Sequence, residues 1–137
     1  MRFESKKDLD REVRAIDTFV NSFGGSYEKL GDNDIDFKVY DKSKNLISYV
    51  EVKGRIRPIE NAFPLPVAAR KLVKLADKRL NPVIIWACDE GIIYAKLKDL
   101  EGKIRFGGRA VRAGSSNDLE VMAYFDYSHK SFKIVNY

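Results

Sequence analysis

Five acidic and basic positions offer this chain's most specific chemistry. Glu51 and Lys53 stand two apart in Tyr49-Val-Glu-Val-Lys-Gly-Arg55, Asp34 and Asp36 stand two apart in Asp34-Ile-Asp-Phe37, and Glu12 lies nearer the N-terminus. On an extended strand residues two apart point the same way, so Glu51 and Lys53 share a face, as do Asp34 and Asp36. Two carboxylates and an ammonium meeting at one point suit phosphodiester hydrolysis. Magnesium is commonly held by one or two carboxylates plus water. The ion polarises the phosphate and acidifies a bound water, and a lysine beside it orients that water and offsets charge building on phosphorus. The backbone carbonyl of Val52, between the two key side chains, is a further candidate metal oxygen.

Other chemistries find little support. His129 is the only histidine and Cys88 the only cysteine, so His-based metal clusters, Cys-rich zinc sites and an intrachain disulfide are excluded. A Ser-His-Asp triad has one candidate histidine at most. Cys88 ends the apolar run Val83-Ile-Ile-Trp-Ala-Cys88 and reads as a small buried hydrophobe.

The positioning elements follow from periodicity. Leu9, Val13, Ile16, Val20 and Phe23 recur at helical spacing, which predicts a helix over 6–22 with Ser5 as N-cap, Asp8 three residues on, and Gly24-Gly25 as the stop. Its apolar stripe centres near Leu9 and Val20, with Glu12 roughly 60° off that centre at the rim. A short strand is expected over 26–30. Residues 34–40 alternate, Ile35, Phe37 and Val39 opposite Asp34, Asp36, Lys38 and Tyr40. Residues 46–53 alternate again, and the polar loop 41–45 joins the two runs as an antiparallel hairpin. That brings Asp36 toward Glu51. Asp34 remains the alternative metal ligand; Asp36 is preferred as the nearer to Glu51 across the turn.

A loop with three prolines is expected over 54–66. A second helix over 67–80 would turn Ala68, Ala69, Leu72, Val73, Leu75 and Ala76 to the core, and Asn81-Pro82 would end it. Residues 83–88 read as a central buried strand, 92–97 pair back, 98–118 are mostly loop, and 121–127 and 132–135 are short final strands. The sum is an α/β fold with a mixed sheet flanked by helices. With 137 residues, 45% of them hydrophobic and 33% charged, the chain is expected to form one domain over 1–137, with a core at about 6–97 and a loop-rich extension over 98–137. The absence of a long apolar run excludes a spanning helix, and a cytoplasmic location without membrane partners is expected.

A helix bearing Glu12, a strand bearing Asp36, a strand bearing Glu51-Val-Lys53, then a second helix and strand: this order resembles the PD-(D/E)XK nuclease superfamily over about residues 6–97. The superfamily includes type II restriction enzymes, archaeal Holliday-junction resolvases and phage nucleases. The resemblance implies a restriction-endonuclease-like αβββαβ core and a metal-dependent DNA endonuclease using Mg2+, with Mn2+ as substitute. It implies metal ligation by Asp36 and Glu51, with Lys53 assisting the attacking water and Glu12 as an additional ligand. The text Phe63-Pro-Leu-Pro66 before a helix with Lys71, then Pro82-Val-Ile-Ile-Trp86 and Gly107-Gly-Arg-Ala110, is similar to small phage proteins of the superfamily, in which a lysine recurs at the place of Lys71. One departure is that Ile35, not proline, precedes Asp36.

The formal net charge of +5 fits a polyanionic partner. Arg55 and Arg57 follow the Glu-x-Lys motif, Lys71, Lys74 and Lys78 form a stripe on the second helix opposite in sense to Arg70, and Arg109 and Arg112 lie in the Gly/Arg segment. These seven form the expected phosphate-backbone track, where affinity comes from counterion release. The DNA substrate stays open between duplex, flap and branched junction. A homodimer is expected if the substrate is a two-fold junction. The competing reading is a non-catalytic DNA-binding module that retains the nuclease fold.

Overall fold

The structure is a computed structural model describing residues 5–31, 35–108, 119–126 and 131–137. Helix α1 spans Lys6–Asn21. Ser5 caps it with a full capping box: its side chain accepts from the Asp8 N–H while Asp8 accepts from the Ser5 N–H, both at 3.2 Å. Gly24, at φ 76°, turns the chain out of the helix. Strands β1 (Ser26–Lys29), β2 (Phe37–Tyr40) and β3 (Leu46–Gly54) follow. They run as an antiparallel meander, with Phe37 opposite Val50 and Lys29 opposite Phe37.

After β3 come a 3-10 turn at Ile59–Asn61, β4 (Leu65–Ala68), helix α2 (Ala69–Ala76), β5 (Val83–Ala87) and β6 (Gly91–Lys96). A second 3-10 turn at Leu97–Asp99 leads to β7 (Lys103–Gly108), β8 (Leu119–Phe125) and β9 (Lys133–Asn136). The main sheet has six strands in the order β1-β2-β3-β5-β6-β9, and β3 and β5 are its parallel pair. A small antiparallel sheet has the order β4-β8-β7. This is the mixed α/β architecture that the sequence implies, consistent with a PD-(D/E)XK core. Among the described residues no helix is long and apolar enough to cross a membrane.

Both faces of the main sheet are covered. On one, Ala15, Ile16, Phe19 and Val20 of α1 pack on Phe37, Val39, Val50 and Ile85. On the other, Leu65 and Val67 of β4, Leu75 of α2 and Phe125 of β8 pack on Ile84, Trp86 and Ile93. Central β5 is therefore buried at every position, which explains its unbroken apolar run. Cys88 is buried beside it, and burial pushes its thiol up to about 11.

Four expectations need correction. The second helix starts at Ala69, not residue 67, because Leu65–Ala68 pairs with β8 as a strand. It ends at Ala76, and its Val73 and Ala76 are exposed rather than in the core. The segment 98–118 is not all loop, since β7 pairs along β8. On α1, Leu9 and Val13 are exposed, and the stripe that meets the sheet is Glu12, Ala15, Ile16, Phe19 and Val20. Finally, Ile35 packs on the α2 face while Phe37 packs on the α1 face, because the chain bends at Asp36 and the alternation starts only after it.

Trp86 is fully buried, and its indole N–H donates to the Pro66 carbonyl at 2.9 Å, tying β5 to β4. Trp86→Phe is expected to cost about 2 kcal/mol, from the orphaned carbonyl and the void together. Urea unfolding followed by far-UV circular dichroism would measure this, as a lower midpoint at unchanged slope.

Candidate metal centre

The site begins where β2 stops. Pairing of β2 with β3 ends at Phe37 opposite Val50, so Val52 extends past its neighbour. Its N–H is taken by Asp36 Oδ2 at 2.8 Å. The carboxylate thus replaces a strand partner, and the bend at Asp36 is what allows it. In a strand, a residue's N–H and C=O face the same edge. The Val52 carbonyl accordingly shares the β3 edge that meets Asp36.

Glu51 is joined to the same point. The Asp36 N–H faces Glu51 Oε2 at 3.4 Å, and Lys71 Nζ of α2 lies 3.1 Å from Glu51 Oε1. Asp36 is 6% exposed and Glu51 4% exposed. Carboxylates so removed from water persist only with hydrogen bonds and positive charge nearby, and here both are present. Lys53 follows Glu51 by two on the same strand, shares its face and is exposed.

Glu12 is buried at 7% exposure, deeper than a rim position, and Lys29 Nζ pairs with its Oε1 at 2.9 Å. The same ammonium lies 5.5 Å from the Phe37 ring centroid, next in sequence to Asp36. Among the described residues, no group of three or more His, Cys, Asp or Glu side chains gathers as a metal cluster. The structure therefore brings Asp36 and Glu51 together and leaves Glu12 engaged with Lys29. Asp34 lies outside the described residues. Asp36, Glu51 and the Val52 carbonyl are hard oxygen donors from adjoining segments. A two-carboxylate set fits a magnesium-like ion, which completes its shell with water.

The expected phosphate track divides. Arg55 donates from Nε to the Ala62 carbonyl at 2.9 Å and from Nη2 to the Pro64 carbonyl at 3.2 Å, so it braces the loop after β3. Burial holds its guanidinium below the usual range, and Arg57 adds repulsion. Arg57 and Lys74 are exposed, and Lys78 Nζ lies 5.1 Å from the Tyr49 ring centroid. Arg70 pairs away from the site with Glu120 at 3.0 Å. Arg109 and Arg112 lie outside the described residues.

Two cations escaped sequence reasoning. Lys29 is one, and its place opposite Phe37 emerges only from the β1–β2 register, which the sequence does not signal. Arg11 is the other: its Nη1 would stand 3.5 Å from a Cβ added at Gly54, so α1 places a guanidinium over the end of β3.

The model of the family described as "Phage putative PDDEXK endonuclease" matches residues 1–134 of the chain. Neither the curated proteins nor the solved structures include a match.

Asp36→Ala strands the Val52 N–H, whereas Asp36→Asn keeps an acceptor for it. The alanine variant is expected to be less stable than the asparagine variant by about 1–3 kcal/mol. Thermal unfolding of both, side by side, would show it; equal stabilities would count against the Asp36–Val52 bond.

Proposed function

The chain belongs to the phage PDDEXK endonuclease family, and on that premise we propose that it is a metal-dependent deoxyribonuclease whose site comprises Asp36, Glu51, Lys53 and the Val52 carbonyl. The observation that carries this reading is the meeting of two buried carboxylates where β2 ends: Asp36 Oδ2 accepts from the Val52 N–H at 2.8 Å, and the Asp36 N–H faces Glu51 Oε2 at 3.4 Å. An exposed lysine follows on the same strand face.

Asp36 and Glu51 would hold Mg2+, with Mn2+ as substitute, and Glu12 is a further ligand only if it leaves Lys29. When bound, the ion supplies Lewis acidity toward the scissile phosphate and the attacking water. Lys53 orients that water and offsets negative charge building on the phosphoryl oxygens. Arg57, Lys74 and Lys78 hold the flanking phosphates, and Arg109 and Arg112, outside the described residues, are assigned to the same role on their charge. Arg55 shapes the loop beneath it and contributes charge.

The net charge of +5 on a chain of 137 residues supports a DNA substrate. Branched DNA, such as a four-way junction cut by a two-fold homodimer, is the substrate class we favour. The alternative, a non-catalytic DNA-binding module, draws its support from the Lys71–Glu51 ion pair, which occupies one carboxylate oxygen.

The test is incubation of plasmid, linear duplex and four-way-junction DNA with Mg2+ or Mn2+, with and without chelator. Cleavage is expected with either ion and none with chelator. Lys53→Met should slow it by roughly 100-fold or more. Glu51→Gln should abolish it with the melting temperature retained. Tight DNA binding without cleavage in either ion would favour the binding module.

A further inference from the structure

Lys71 stands on α2, outside the β2–β3 hairpin that supplies the other groups of the site. Its ammonium lies 3.1 Å from Glu51 Oε1, and the two side chains are 21% and 5% exposed. The other oxygen of Glu51 faces the Asp36 N–H. The lysine thus engages one oxygen of the carboxylate that the proposed function assigns to a divalent ion. Two cations cannot share one carboxylate oxygen in a poorly solvated site without strong repulsion. A lysine is a compact charge on a flexible four-carbon stem, so it can leave one anion for another nearby.

We infer that Lys71 is a resident counter-ion: it neutralises Glu51 until a divalent cation displaces it, and the released ammonium then contacts a DNA phosphate. The inference rests on the metal-binding reading of Asp36 and Glu51. It makes Lys71 the group that couples metal binding to DNA binding. Each ligand favours the state with Lys71 swung away from Glu51, so each tightens the other, and the coupling is reciprocal. The same arrangement keeps the buried carboxylates from repelling the DNA backbone before metal arrives.

Calorimetric Ca2+ titration of the whole protein, without DNA and with a short duplex, reads this out without cleavage. Removing the competitor in Lys71→Met should tighten Ca2+ binding without DNA by about three- to ten-fold. It should also shrink the tightening that duplex brings. Arg70→Met removes the same charge from the adjacent helix position, which faces Glu120, and should change Ca2+ affinity by less than about two-fold. In the wild-type protein, the side-chain NMR signal of Lys71 should move along the Ca2+ titration, a readout independent of any variant's folding.

Unchanged or weaker Ca2+ binding in a folded Lys71→Met protein would overturn the inference. So would equal effects at positions 70 and 71, or a Lys71 signal indifferent to Ca2+. Glu51→Gln separates the two levels of the argument. If it abolishes Ca2+ binding while Lys71→Met fails to tighten it, only the counter-ion role falls. If Ca2+ binding survives Glu51→Gln unaltered, the metal-site reading falls as well.

Discussion

An amide left over at the end of a strand pairing organises this molecule's polar centre. β2 ends opposite Val50, and the Val52 N–H beyond it bonds a carboxylate at 2.8 Å. A buried N–H without a partner costs on the order of 1–3 kcal/mol, so the chain must supply an acceptor there. Asp36 does, and only because the backbone bends at that residue. The bend places Ile35 on one face of the sheet and Phe37 on the other. Local strand termination, core packing and the location of the acid are thus one structural event.

Electrostatics completes the arrangement. Glu12 and Glu51 are both buried, and each has a lysine from a flanking element within 3.1 Å or less. Lys29 comes from β1 and Lys71 from α2. Buried carboxylates are costly unless paired, and their retention here is more readily explained by chemistry than by stability. A purely structural site of the same volume would be as stable, or more so, with apolar side chains. The membership of the chain in a PDDEXK endonuclease family agrees with that physical argument.

The strand-borne part of this site was legible because strands convert spacing directly into direction. Glu51 and Lys53 follow from a period of two, and the hairpin from two alternating runs. Central β5 was equally legible from its apolar run. The helical side was read less well. Leu65 and Pro66 read as loop, Val67 and Ala68 fit a helix face as easily as a strand, and pairing with β8, about 60 residues away in sequence, decided the matter. Such long-range pairing leaves little local signal. The bracing of the Ala62 and Pro64 carbonyls by Arg55 is likewise a contact that its position beside the motif does not signal. The Lys29–Glu12 pair spans strand and helix and was likewise invisible to periodicity.

The most direct test of the central claim is a crystal structure of the protein soaked with Mn2+ and examined by anomalous diffraction. The expected result is a peak bonded to one oxygen each of Asp36 and Glu51 and to the Val52 carbonyl, at about 2.0–2.2 Å as for comparable hard ions. A peak held by other residues, or Asp36 and Glu51 with no ion between them at saturating Mn2+, would contradict it.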